Sequence, residues 1–184
     1  MHVVAIPGSL RAASLNLRLA RAAAAGTPAG HTLEVATIHG IPLYDGDEEA
    51  KGIPPQVTAM KDKVAAAGAL LLVSPEYNGS IPGPMKNAID WMTRPPADIA
   101  RVFKGKPVGV IGATPGPAGT RLAQAAWLPV FRQLQMVPYY GHALYVDGAG
   151  KVFDDAGSIT DDKVRERLVA FVEGFFAFAS RLVG

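Results

Sequence analysis

The chain has 184 residues, of which 49% are hydrophobic and 18% are charged, a composition that excludes a disordered segment and fits one folded domain. Its net charge of +2, without a run of lysines or arginines, makes nucleic acid and an anionic membrane surface unexpected partners. The chain has no cysteine, which excludes disulfides, thiolate metal sites and cysteine nucleophiles, and it has no apolar stretch of about eighteen residues, so we expect a soluble, cytoplasmic protein.

Apolar runs alternate with helical patterns along the chain, an order typical of a parallel sheet with helices on both faces. The first predicted strand covers residues 2–6, and leucines and alanines at helical spacing predict a helix over 14–26. Residues 32–38 alternate polar and apolar side chains and predict an edge strand. The proline-rich and acidic segment 39–55 predicts an irregular loop, and a helix is expected to begin near Pro55.

The continuously apolar residues 69–73 predict a central strand that is buried on both faces. A helix is predicted from Met85 to Met92, followed by a fourth strand over 107–112. The remaining predicted elements are a helix from about Arg121 to Leu134, a fifth strand over 137–140, a glycine-rich connection over 141–158 and a terminal helix from about Thr160 to Leu182.

This succession predicts a single α/β domain over residues 1–184 with a five-stranded parallel sheet. In an open parallel sheet, ligands bind outside the carboxyl ends of the strands, near the point where the strand order reverses. We therefore expect the loops after the first, third and fourth strands to share one crevice.

The first of these loops, residues 8–16, has the composition of an anion site. It carries hydrogen-bond donors at Ser9, Ser14 and Asn16, a cation at Arg11, and it leads directly into a helix. Unpaired backbone N–H groups and the helix dipole favour a phosphate at such a position. A helix N-cap is an equally good explanation of Ser14 alone, but it does not explain Arg11.

The second loop, Ser74–Pro84, is dense in turn-forming residues, which is compatible with a purely structural turn. Its polar residues favour contact with a ligand. An amphipathic ring at Tyr77 and hydrogen-bonding side chains at Glu76, Asn78 and Ser80 suit the orientation of a planar polar heterocycle.

The chain resembles the NADPH-dependent FMN reductase family in three motifs, which are Gly8–Arg11 with Ser14 and Asn16, Ser74–Gly83, and Lys86–Trp91. The resemblance extends from residue 3 to about residue 140. It implies a flavodoxin-like, doubly wound fold with strand order 2-1-3-4-5, bound FMN, NADPH or NADH as the hydride donor, and a homodimer or homotetramer.

The resemblance also implies roles for individual residues. Those expected at the FMN phosphate are Ser9, Arg11, Ser14, Asn16 and the amide of Leu15. Those expected along the ribityl chain and the isoalloxazine ring are Pro75, Glu76, Tyr77 and Asn78, with close backbone approach at Gly79 and Ser80. The third loop, Ala113–Thr120, departs from the family pattern by an extra proline, and its candidate contacts are Thr114 and Gly116.

A bound flavin would carry the reaction, so no catalytic side chain is predicted. NAD(P)H would deliver a hydride to the flavin N5, leave, and be replaced by a small acceptor such as a quinone, an azo compound, chromate or a flavin, in a ping-pong scheme. Two other interpretations are an FMN-binding electron carrier of the flavodoxin type, without its own substrate, and a nucleotide-binding regulatory module without flavin.

Several residues outside these loops receive structural or open interpretations. Lys86 and Asp90 are four apart and are expected to form an ion pair, beside a packed Trp91. The histidines lack ligand spacing, and no metal site is predicted. The candidate cations for the 2′-phosphate of NADPH are Arg94, Arg101, Lys104 and Arg121. The residues that either form a subunit contact or complete the core are Met92, Ile99, Val102 and Phe103.

Overall fold

The computed structural model describes residues 1–183, so the last residue of the predicted domain lies outside the described part. Strands and helices alternate for most of this length. The elements in chain order are β1 (His2–Pro7), α1 (Leu15–Ala25), β2 (Thr32–Val35), α2 (Gly46–Glu49), α3 (Pro55–Ala66), β3 (Ala69–Val73), α4 (Gly83–Met92), α5 (Asp98–Val102), β4 (Pro107–Ala113), α6 (Arg121–Ala126), α7 (Leu128–Gln133), β5 (Val137–Pro138), β6 (Leu144–Val146), a short 3₁₀ turn (Ala149–Lys151) and α8 (Asp162–Val183).

The sheet has the order β2-β1-β3-β4-β5, as the family resemblance implied, and every pairing in it is parallel, as the residue pattern predicted. Both faces of β3 are covered, and all five of its residues are buried. One apolar cluster packs α1 and α8 on one face, and a second packs α3, α4, α5 and α7 on the other. Helices therefore cover both faces, and the fold is flavodoxin-like.

The outermost strand differs from the prediction because it is divided in two. β5 has only two residues, and β6 lies within the segment 141–158 that was predicted to be a connection. Both pair with β4, through Val108↔Pro138 and Ile111↔Leu144, so the outer strand has three more residues between these points than β4 has. The sheet thus has six strand segments rather than five.

Two helical predictions were wrong in extent. The helix predicted from Arg121 to Leu134 is divided at Trp127, because Pro129 lacks the N–H that would bond to the carbonyl of Ala125. The terminal helix begins later than predicted, at Asp162, where the carboxylate of Asp161 accepts a hydrogen bond from the Val164 N–H at 3.0 Å.

Three shorter differences lie at loops. β2 ends at Val35 rather than at residue 38. The predicted irregular loop 39–55 contains α2, which the carboxylate of Asp45 caps through the Asp47 N–H at 2.9 Å. The sequence prediction also left out α5, a helix of five residues.

Of the two roles left open for the apolar residues at and after the end of α4, the structure supports completion of the core. Met92, Val102 and Phe103 are fully buried in the second apolar cluster, and Ile99 packs against them. These side chains complete the core between the sheet and α5, which is the alternative that the sequence left open.

None of the helices within residues 1–183 combines the length and the apolar character that crossing a bilayer requires.

A buried ion pair fixes the segment that carries α5. The Nζ of Lys61 in α3 is almost completely buried and donates to the Arg94 carbonyl at 2.6 Å and to the Asp98 carboxylate at 2.7 Å. The hydrogen bond from Lys61, aided by a second one from Arg101, lowers the pKa of Asp98 below its usual value. Because the folded-state pKa is lowered, the pair stabilises the fold above the unfolded-state pKa and loses this effect as the pH falls.

We therefore predict that Asp98→Asn lowers the free energy of unfolding by about 1 to 3 kcal/mol at neutral pH, since it leaves the Lys61 ammonium buried without a carboxylate. The difference from the unmodified protein should shrink as the pH falls from about 5 through the lowered pKa. Urea unfolding over this range measures both effects. Asp62→Asn, which breaks the exposed pair with Arg101, is the matched control and should cost less than about 1 kcal/mol.

Candidate functional site

The loop between β1 and α1 presents a concentrated set of hydrogen-bond donors. The Ser14 oxygen accepts from the Leu17 N–H at 3.1 Å, so Ser14 is the N-cap of α1, as one interpretation of the sequence held. The Ser9 oxygen accepts from the Arg11 N–H at 3.3 Å. Because each serine oxygen already accepts a backbone N–H, each hydroxyl proton is available to an acceptor outside the loop.

The same loop adds positive potential to these hydroxyls. The N–H groups of Leu15 and Asn16 lie in the first turn of α1, where no carbonyl of the helix can accept them. Arg11 is exposed at the loop surface, and residues 8–18 contain no acidic side chain. This donor set fits a phosphate, since it offers N–H and O–H groups and a guanidinium with no competing carboxylate.

The side chain of Asn16 joins the first loop to the end of β4. Its Nδ2 donates to the Ala113 carbonyl at 2.8 Å, and its Oδ1 accepts from the Ala113 N–H at 2.9 Å. The side chain is buried, and one N–H of its amide is left for another acceptor. Asn16 therefore holds two loops together, and its remaining contributions to a ligand are that single N–H and its backbone amide.

The second loop turns sharply at its tip. Tyr77 and Ser80 exchange two backbone hydrogen bonds of 3.1 Å, and Asn78 and Gly79 between them have φ angles of 51° and 72°. Positive φ at both central residues defines a mirror-image turn, for which Asn-Gly is the preferred pair. The turn presents the Tyr77 ring at the surface, 42% exposed.

The predicted position of Glu76 along a ligand needs refinement. Its carboxylate accepts a hydrogen bond from the Ala123 N–H at 3.0 Å, in the first turn of α6. A carboxylate at this end of a helix is stabilised by the helix dipole and by the unpaired N–H groups. Glu76 thus anchors the second loop to α6.

Close packing joins the base of the second loop to the third. The indole of Trp127 donates to the Ser74 hydroxyl at 3.1 Å, and that hydroxyl donates to the Pro75 carbonyl at 2.9 Å. A Cβ atom at Gly112 would lie 2.1 Å from the Ser74 carbonyl oxygen, so only glycine fits there. Sequence analysis missed Trp127 and Gly112, although a buried indole N–H generally requires an acceptor.

Backbone hydrogen bonds to β6 and to the residues after it fix the third loop. The Thr114 N–H donates to the Val146 carbonyl at 2.9 Å, and the Gly116 carbonyl accepts from the Gly148 N–H at 3.1 Å. Thr114 and Gly116 are therefore positioned by β6 and the segment that follows it. Because the sequence prediction lacked β6, it could not identify this support.

Helix α4 supports the segment before α2. The Pro42 carbonyl accepts from Asn87 Nδ2 at 2.8 Å and from the Trp91 indole at 2.9 Å. The Tyr44 hydroxyl donates a hydrogen bond to the Glu49 carboxylate at 2.8 Å, and this bond raises the pKa of Tyr44.

Within α4, Lys86 and Asp90 form the predicted ion pair, at 2.7 Å. Lys86, Asp90 and Trp91 therefore have the structural role that the sequence indicated.

The four candidate cations for a 2′-phosphate differ in their surroundings. Arg101 is paired with Asp62 and Asp98, and Arg94 lies over the Tyr44 ring. Arg121 stacks on Tyr145 at 4.9 Å and donates to the Ala118 carbonyl of the third loop at 3.3 Å. The fourth, Lys104, is exposed near the end of α5. Of these cations, Arg121 is the one that contacts a loop of the candidate site.

Within residues 1–183, histidines and acidic side chains form no cluster of three that could hold a metal ion.

Comparison with known proteins identifies relatives of this chain. Residues 1–151 match the family model for NADPH-dependent FMN reductase. A Pseudomonas aeruginosa protein named NAD(P)H-dependent FMN reductase is 38% identical over 184 residues, covering 100% of this chain and 98% of that protein. A Burkholderia 2-hydroxy-1,4-benzoquinone reductase is 34% identical, covering 97% and 96%. The structure of FerB, a flavoenzyme NAD(P)H:(acceptor) oxidoreductase from Paracoccus denitrificans, superposes with a TM-score of 0.87 at 34% identity, covering 98% of this chain and 97% of that one.

We predict that Asn16→Ala destabilises the protein without any ligand, because it leaves the buried N–H and C=O of Ala113 without partners. The expected loss is about 2 to 4 kcal/mol in the free energy of unfolding, measured by urea denaturation of the FMN-free protein. Ser14→Ala, which removes only a helix cap, is the matched control and should cost about 1 kcal/mol. Equal stability of the two variants would show that Asn16 does not join the loops.

Proposed function

This chain belongs to the NADPH-dependent FMN reductase family, and on that premise we propose that it is an NAD(P)H-dependent oxidoreductase that holds FMN at the carboxyl ends of β1, β3 and β4. The observation that carries the proposal is the acid-free set of N–H, O–H and guanidinium donors at the start of α1, beside two further loops tied to the same edge. When bound, FMN supplies the redox chemistry by taking a hydride from the nicotinamide and passing two electrons to a small acceptor.

The first loop would bind the phosphate of FMN. Its donors are the hydroxyls of Ser9 and Ser14, the guanidinium of Arg11 and the amides of Leu15 and Asn16. Because Asn16 and Ala113 fix this loop before any ligand arrives, the phosphate would meet donors that are already in place.

The second and third loops would bound the ribityl chain and the ring. The exposed Tyr77 ring can pack against a planar heterocycle, and Asn78, Gly79 and Ser80 present turn backbone to it. The remaining residues proposed for these two loops are Pro75, Glu76, Thr114 and Gly116. Glu76 would act indirectly, because its carboxylate accepts a hydrogen bond from the amide of Ala123 and so anchors the second loop to α6.

The protein's share of the reaction is placement. A donor and an acceptor that occupy the same open face in turn require a stacking surface and N–H groups near the ring, but no nucleophilic side chain. The relative named for reduction of a benzoquinone supports quinones as the first acceptors to test.

We include a homodimer or homotetramer and a cytoplasmic location in this proposal. Leu122 and Leu128 are 60% and 42% exposed on consecutive helices, and Leu122 lies next to Gly79 of the second loop. An apolar surface of this kind suits a subunit boundary near the ring. Sedimentation at micromolar concentration tests the assembly, and imaging of the tagged protein tests the location.

The function is tested by mixing the FMN-loaded protein with NADPH or NADH in a stopped-flow instrument. We expect the visible flavin absorbance to disappear without any partner reductase and to return when a benzoquinone is added. An electron carrier of the flavodoxin type would keep its absorbance under the same conditions. A protein that takes up no FMN would instead support the nucleotide-binding module.

We predict that Arg11→Ala weakens FMN binding by about 1.5 to 3 kcal/mol, the range for a hydrogen bond to a charged group. Fluorescence titration of the FMN-free protein measures the change. Arg132→Ala on α7, which packs on the opposite face of the sheet from α1, is the control and should leave FMN affinity unchanged. Equal affinities of the two variants would remove Arg11 from the phosphate site.

A further inference from the structure

A second recess lies on the face of the sheet that α1 and α8 cover, and it begins beside Ala12 and Ser14 of the first loop. These helices lie side by side, and residues 155–159 also line the groove between them. The groove encloses about 760 Å³. A volume of this size is typical of sites for small organic ligands.

The groove carries positive charge that its own residues do not neutralise. Arg18 and Arg21 line it from α1, and Arg165 lines it from α8. Arg165 is occupied by Asp162 and by the Ile159 carbonyl. The other two arginines form no ion pair among the described residues, and Arg18 donates only to a backbone carbonyl, at 3.2 Å.

Arg18 and Arg21 are one turn apart on α1, where like charges repel. The lining contains a single carboxylate, Asp155, against three guanidinium groups. Binding of an anion between the two arginines would therefore relieve repulsion as well as form charge-assisted hydrogen bonds.

The floor of the groove is apolar. Ala22 contributes from α1, and Leu168, Val169 and Val172 contribute from successive turns of α8. Val169, which lines this recess, has 41% of its surface exposed to solvent. An occupant with an apolar body would bury this surface, which a simple inorganic anion would leave in contact with water.

We propose that the groove between α1 and α8 binds a small organic anion, with a carboxylate, sulfonate or phosphate held by Arg18 and Arg21 and an apolar body on the α8 floor. The groove adjoins the first loop at Ser14, but the FMN phosphate would lie at the N-terminus of α1, whereas Arg18 and Arg21 lie along the flank of this helix. It goes beyond the proposed redox function and does not depend on it.

The test uses 2-naphthalenesulfonate as the probe, titrated calorimetrically into the FMN-loaded protein. We expect one saturable site per chain and binding about tenfold weaker in Arg18→Gln and in Arg21→Gln. The uncharged 2-naphthalenemethanol should bind at least tenfold more weakly than the sulfonate. Val169→Trp, which fills the groove from α8, should abolish binding, and Arg132→Gln is the charge-matched control that should not change it.

The proposal is overturned if the probe shows no saturable binding, if the neutral alcohol binds equally well, or if the groove variants bind the probe like the control. Competition of the probe with FMN would also overturn it, by placing the probe in the first loop. Reduction of FMN by NADPH, measured on the same samples, reports the redox function separately, so that failure of one proposal leaves the other to be judged on its own result.

Discussion

The two hydrogen bonds between the Asn16 side chain and the backbone of Ala113 are the constraint on which the rest of the site depends. They connect the start of α1 to the end of β4, across β3, which separates β1 from β4 in the sheet. Together with the Glu76 bond to α6 and the Trp127 bond to Ser74, they make one rigid edge from three loops that are far apart in the chain. A ligand at this edge would meet groups whose positions are already determined, which reduces the entropy lost on binding.

Much of this arrangement could be predicted from local pattern. The apolar runs that became β1, β3 and β4 are continuous, and parallel strands place their following loops at one edge. The N-cap at Ser14 and the Lys86–Asp90 pair also follow from short spacings.

Contacts between residues far apart in the chain could not be predicted from local pattern. Asn16 and Ala113 are 97 residues apart, and nothing near either residue identifies the other. β6 was missed because three apolar residues among glycines do not stand out, whereas the break at Pro129 was visible in the sequence and was overlooked.

The two recesses have different electrostatic characters. At the carboxyl edge, the positive groups of the first loop surround backbone amides, which is suited to a compact dianion. On the flank of α1, guanidinium groups stand above an apolar floor, which is suited to an amphipathic anion. The same helix therefore contributes to both recesses, through its N-terminal amides in one case and through the side chains of its exposed turns in the other.

The division of the outer strand into β5 and β6 has a consequence for how the chain can vary in length. Hydrogen bonding to β4 is fixed by separate anchors on each side of the extra residues, at Val108 and at Ile111. Residues 140–143 between these anchors are exposed, so additional residues there would lengthen a surface loop without moving either ladder segment out of alignment. This edge can therefore tolerate insertions, and tags or whole domains could be grafted there while the opposite, ligand-facing end of β4 keeps its geometry.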